Sequence, residues 1–168
     1  SMRKSSMPKG SRWCGASSKG FLRRRSLTRL SIPRRRDGRA SSPTPVRLAQ
    51  VLACCRDNNE TVRRTAVEQL PFFEDASVFD ALVHAIEHDG PSVRAAAASA
   101  LARVEHPSRT GVLLRALGDG DPWVRFVTLR TLGAIGATEA VPPVLATVEQ
   151  DPAPHVRLAA IEVLGRIS

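Results

Sequence analysis

From residue 44 onward the apolar positions return in two interleaved patterns. One starts at a valine followed by arginine and continues 4, 8 and 11 residues later: Val62, Ala66, Leu70 and Phe73; Val93, Ala97, Leu101 and Val104; Val124, Thr128, Leu132 and Ile135; Val156, Ala160, Leu164 and Ile167. At about 100° per residue these offsets share roughly one quadrant of a helix, so each set predicts a helix with one buried stripe. The other pattern lies between the first: Leu48, Val51, Leu52 and Cys55; Phe79, Leu82, Val83 and Ile86; Thr110, Leu113, Leu114 and Leu117; Val141, Val144, Leu145 and Val148. Its offsets of 3, 4 and 7 again mark one helical face.

The second pattern advances in steps of 31, whereas the valines advance by 31, 31 and 32, which puts one extra residue in the loop 150–155. Each repeat therefore reads as a helix pair, A then B, and the chain as all-α, with repeats at about 44–73, 76–105, 108–136 and 138–167. Asp121-Pro122 and Asp89-Gly90-Pro91 are helix-start signals. Gly133, Gly136 and Gly165 are read as C-terminal caps. Pro71 is expected to end the first B helix early, and Pro142-Pro143 to kink the fourth A helix.

Charge separates the chain into two parts. Residues 1–40 hold 13 Lys/Arg and a single acid, Asp37, whereas residues 41–168 hold 12 Lys/Arg and 15 Asp/Glu. A basic arm (1–40) thus precedes a mildly acidic repeat region (41–168), with the break at the turn-rich "DGRASSPTP". The composition is rich in Ala, Leu and Val and has no tyrosine. No apolar run is long enough to span a bilayer, which argues against an integral membrane segment. Cys14, Cys54 and Cys55 show no metal-binding spacing and read as reduced thiols, hence an intracellular, cytoplasmic setting. Organellar targeting by the Arg/Ser-rich arm is the alternative.

"DGDPWVRFVTLRTLGAIG" (119–136) and "AVPPVLATV" (140–148) resemble HEAT repeats, in particular the short HEAT-like repeats of the phycobiliprotein-lyase type and the designed helical-repeat consensus. The resemblance spans residues 44–167 and implies a right-handed α-solenoid of four helix pairs. It also implies an Asp/Arg ladder tying each A–B turn to the neighbouring repeat: Asp57 and Arg63, Asp89 and Arg94, Asp119 and Arg125, Asp151 and Arg157. In the designed relatives the positions facing away from the B-helix stripe form a variable concave binding face. Carried onto this chain, they nominate Trp123, Phe126, Val127, Arg130, His155, Leu158 and Glu162 as partner-binding, with Arg64 and Glu68 in the first repeat. Ala95, Ala96 and Ala159 fall among the same positions. A Trp, a Phe and an Arg together match the composition of interface hot spots.

Catalytic chemistry finds little support. HEAT-type di-iron hydroxylases carry His-Glu after the repeated arginine, where this chain has Arg64-Thr65, Ala95-Ala96, Phe126-Val127 and Leu158-Ala159. His84 and His88 read as exposed helix-end residues, and no nucleophile motif or phosphate-binding loop is present. The expectation is a non-enzymatic protein-binding scaffold with no cofactor or metal. One alternative is nucleic-acid association through Arg23, Arg24, Arg25, Arg34, Arg35 and Arg36 of the arm. A weaker one is a lyase-like accessory role in maturing a cofactor-bearing protein. Ile161, Val163 and Ile167 are expected to leave an apolar C-terminal end open to self-association.

Overall fold

The computed structural model describes residues 45–167, which belong to the second of two units, Gly38–Ser168. The basic arm, with its arginines at 23–25 and 34–36, lies outside the described residues. Eight α-helices come one after another: α1 (Pro45–Cys54), α2 (Glu60–Gln69), α3 (Ala76–His88), α4 (Pro91–Ala100), α5 (Arg109–Ala116), α6 (Pro122–Ala134), α7 (Val141–Gln150) and α8 (Pro154–Ile167). Odd-numbered helices are the A helices and even-numbered ones the B helices. The pairs stack into an α-solenoid, because no single pair can bury its own apolar stripe.

Local chemistry sets the helix starts. Asn59, Asp75 and Asp121 cap α2, α3 and α6 with side-chain oxygens, each accepting from the amide two residues on. Pro91 and Pro122 open α4 and α6, where a missing N–H leaves no bond unmade. α2 gives way at Gln69 to the 3-10 turn Leu70–Phe72, which contains Pro71, but the proline is not what shortens it: α4, without one, ends at the equivalent Ala100 and continues through the 3-10 turn Leu101–Arg103. Pro142 and Pro143 do not kink α7. They occupy its first turn, after the 3-10 turn Thr138–Ala140, where proline's fixed φ suits a helix start.

The core runs the length of the stack. Leu70, Leu82, Leu101, Leu113, Leu129 and Leu132 are all fully buried. Successive B helices pack on one another along the whole row, whereas the A helices α3 and α5 barely touch. The B row is therefore the tighter, inner side of the curve. Its closeness buries Ala95 and Ala159, which the helical wheel places on the free face, because neighbouring B helices approach over small side chains there. Thr128 is buried where the other repeats carry alanine, and its hydroxyl finds no hydrogen-bond partner among the described residues.

Of the three glycines read as caps, only Gly136 is one. Its φ of 64° is left-handed, and the Ala137 amide closes a bond back to the Leu132 carbonyl at 3.1 Å. Gly133 lies inside α6, where a Cβ would stand 3.1 Å from a Val163 methyl of α8. Gly165 lies inside α8, with nothing within 4 Å of the same position. The C-terminal end is also less apolar than its sequence suggests: Val163 and Ile167 are buried, and only Ile161 of that trio is exposed. Val163 faces back onto α6, which is why it is covered.

The two helical glycines should respond oppositely to alanine. Gly165→Ala should raise stability by about 0.5–1 kcal/mol, the usual helix-interior difference. Gly133→Ala should lower it by roughly 1–3 kcal/mol, because the added methyl forces the fully buried Val163 side chain, 3.1 Å away, to shift within a packed seam. Chemical denaturation of the two variants checks the contrast.

Candidate functional site

The Asp121 cap fixes the start of α6 and with it the direction of the first-turn side chains. Its Oδ1 accepts from the amides of Trp123 at 2.8 Å and Val124 at 3.3 Å. Val124 points into the core, so Trp123 points out, and its side chain is 57% exposed. The indole stacks on the Phe126 ring one turn later, with centroids 5.1 Å apart and planes inclined by 18°. Phe126 is half-buried against the core and reaches across to His155 of the fourth repeat, 6.1 Å between ring centroids. An aromatic row thus crosses from the third repeat to the fourth. Leu158, one turn beyond His155, is 62% exposed.

Polar groups border this row. Arg130, two turns along α6 from Trp123, donates to Glu162 of α8 at 3.2 Å across the same boundary. In the first repeat Arg64 pairs instead within its own helix, donating to Glu68 at 3.0 Å. Val127 is half-buried against the core and presents only an edge. The inner face also holds a pair that the helical pattern alone does not show: the Arg103 guanidinium lies 5.4 Å from the centroid of the exposed Phe72 ring, bridging the first two repeats. Both fall among the B-helix positions that face away from the buried stripe, so the sequence places each on the inner face; their mutual contact is what the structure adds.

The Asp/Arg ladder is present, with a specific direction. Each arginine's Nη1 binds carbonyls of its own A–B turn: Arg63 on Asp57, Arg94 on Asp89, Arg125 on Asp119 and Arg157 on Asp151, at 2.7–2.8 Å. The remaining edge of the guanidinium grips the carboxylate of the following repeat. Arg63 holds Asp89, Arg94 holds Asp119 and Arg125 holds Asp151, each pair with a closest contact of 2.7–2.8 Å. The aspartate that precedes each arginine in its own turn therefore contributes its backbone oxygen, and the side chains of Asp89, Asp119 and Asp151 serve the repeat before. Arg125 and Asp151 are both buried.

These contacts hold the aspartates below the ordinary carboxylate range. For Asp89 and Asp151 the guanidinium hydrogen bond is the main cause, opposed by burial and helped by a backbone amide. For Asp119 burial pushes upward most strongly, but the Arg94 hydrogen bond, the Asp121 amide and the charges of Arg94 and Arg125 together outweigh it. The arginines rise correspondingly.

A cleft of about 320 Å³ opens on the outer side between α1 and α3, lined by Leu52, Cys55, Asp80, Ala81, His84 and His88 among others. The His84 and His88 rings lie 4.9 Å apart, one turn from each other on α3. Burial pushes the Cys55 thiol up to about 11, so it is protonated at neutral pH and a poor nucleophile. Among the described residues no three His, Cys, Asp or Glu side chains converge to hold a metal. Among them, too, no helix is long and apolar enough to cross a membrane.

Comparison with known proteins agrees with this architecture. The family model described as HEAT repeats matches residues 48–125 and 110–168. No curated protein matches the sequence. Among solved structures, the complex of CpcE and CpcF of phycocyanin lyase from Nostoc sp. PCC7120 is similar at 22% identity with a TM-score of 0.62, covering 71% of this chain and 81% of that one.

The ladder yields two expectations. Asp151→Ala strands the buried Arg125 charge and should cost about 3 kcal/mol, whereas Arg64→Ala in the exposed Arg64–Glu68 pair should cost less than ~0.5 kcal/mol. Urea titration of both variants measures the difference. Because the folded aspartates titrate below their unfolded value, their stabilisation is complete above about pH 4 and is lost as pH falls further. The melting temperature should therefore drop on acidification below that point, and Asn at positions 89, 119 and 151 should flatten the drop.

Proposed function

The chain belongs to the HEAT repeat family, and from that premise we propose that it is a protein-binding scaffold whose inner B-helix face captures a partner around Trp123, Phe126, Arg130 and Leu158. HEAT repeats are interaction scaffolds in general, and their fold does not name a partner. The site has to be argued from the residues that the stack leaves uncovered.

The observation that carries the reading is the state of Trp123. A large aromatic side chain more than half exposed, yet held in place by stacking on a half-buried Phe126, is a preformed anchor with little rotamer freedom left to lose on binding. Leu158 adds exposed apolar surface on the next B helix, and the Arg130–Glu162 pair supplies a polar rim. Water is readily displaced from such a patch, and a guanidinium at its edge can trade its exposed partner for one on the incoming protein. His155 and Val127 extend the surface, while Arg64 and Glu68 mark its far end in the first repeat.

The similarity to the CpcE and CpcF complex of phycocyanin lyase supports the fold. It motivates the accessory-factor alternative without assigning a residue to it. Binding of nucleic acid by the arm is the other alternative. It predicts an affinity that falls steeply with salt and disappears when residues 1–40 are removed.

Trp123→Ala should leave helicity intact and cost less than ~1 kcal/mol of stability, as expected for a largely exposed side chain. It should weaken partner binding by at least about 30-fold, the hot-spot range. Isothermal titration beside a thermal melt reads both quantities. A variant that binds as tightly as the original, or that unfolds, would show that Trp123 is not an anchor.

A further inference from the structure

Each rung of the ladder joins a repeat to the one after it, and among the described residues two half-rungs have no ladder partner, Asp57 in the first repeat and Arg157 in the fourth. Asp57 has the same setting as Asp89, Asp119 and Asp151. Its carbonyl accepts from the arginine of its own repeat, Arg63, at 2.8 Å. Its Oδ1 accepts from the Asn59 amide two residues on at 2.7 Å, as Asp119 and Asp151 accept from Asp121 and Ala153. The Asp57 carboxylate is oriented to receive a guanidinium, yet it is exposed and meets none among the described residues. Arg157 is the converse. Its Nη1 is held on the Asp151 and Pro152 carbonyls at 2.7 and 3.2 Å. The other edge of its guanidinium, which in Arg63, Arg94 and Arg125 grips the next carboxylate, has no carboxylate among the described residues.

Burial at equivalent positions reports the same two unfilled faces. Five residues after the repeated valine stand Val67, Ala98, Leu129 and Ile161. The first three are at most 1% exposed because the next B helix covers them, and Ile161 is 54% exposed. On the A helices Leu145 is 48% exposed where Leu52, Val83 and Leu114 are half-buried. Gly165 stands open where its counterpart Gly133 receives Val163. At the opposite end the repeated valine itself is uncovered: Val62 is 37% exposed, and Val93, Val124 and Val156 are 0%. Leu145, Ile161, Gly165 and Arg157 thus form the donor half of an inter-repeat contact, and Val62 and Asp57 belong to the acceptor half.

We propose that this chain associates head to tail with a second copy, the fourth repeat of one stacking on the first repeat of the next as though the solenoid continued, closed by an Arg157–Asp57 ion pair. The two faces differ, so the contact is heterologous and can propagate. Thr65 and Gln69 make the acceptor face more polar than the internal ones, where Ala159 and Val163 fill the same places in the fourth repeat. The junction is consequently weaker than an internal one and reversible. It does not depend on the Trp123 face.

Sedimentation velocity of the full 168-residue chain over a concentration series tests this, with Arg157→Asp and Asp57→Arg measured separately and as an equimolar mixture. The original chain should gain mass with concentration. Each variant alone places like charges at the junction and should dissociate at least about 10-fold more readily. The mixture should recover association, because Asp at position 157 of one variant meets Arg at position 57 of the other. Ile161→Glu, at a side chain without a covering neighbour, should weaken association independently of the ion pair. A monomeric original chain overturns the proposal. So does an Asp57→Arg variant that associates like the original, as expected if two C-terminal faces pair or another segment occupies the face, and so does a mixture no stronger than its separate components.

Discussion

Everything in the repeat region depends on a guanidinium that binds two repeats at once. One edge of the arginine closes the A–B turn of its own repeat, and the other holds the carboxylate of the next. The arginine cannot satisfy both edges unless the following repeat is in place, so local turn geometry and long-range stacking are fixed by one group. Apolar burial supplies most of the cohesion, but it is tolerant of sliding. The ion pair is not, because a planar fork matches a carboxylate in few orientations. The ladder therefore sets the offset between neighbouring pairs, and the leucines fill the space which that offset defines.

That division of labour decides where variation is allowed. Positions that touch the next repeat are restricted to small or aliphatic residues, and alanine recurs where B helices come closest. The remaining inner positions carry no packing duty. In the second repeat they are small except for Arg103, in the first they hold charged side chains and Phe72, and at the boundary of the third and fourth they hold the aromatic row. A binding surface can thus be placed on the stack without disturbing it, because the groups holding the repeats together lie at the turns and in the seams.

Much of this was readable from the chain. Repeat length, helix pairing and the start of α6 at Asp121-Pro122 come from periodicity and capping chemistry, both of which act within one helix. What escaped depends on neighbours. A wheel drawn for α8 puts Ile167 on the buried stripe but cannot show that Val163 turns under cover while Ile161 does not. Nor can it show that Gly133 is a contact and Gly165 is not, since the two occupy the same place in the pattern and differ only in whether another B helix packs beyond them. The resemblance implied a ladder between neighbouring repeats, but the spacing of five or six did not show its direction: the carboxylate that each arginine grips stands 25 or 26 residues ahead. The exposure of Trp123 was the opposite case: its place before a buried valine already pointed it outward.

The unequal spacing of the two rows has a mechanical consequence. On the inner side the helices already touch, with a methyl at Gly133 possible only if Val163 yields, while the outer helices of successive repeats meet at few points. Such a coil resists tighter curling far more than it resists straightening. Its compliance is one-sided, so it should accommodate a flatter or broader object by unbending and should grip a narrower one poorly.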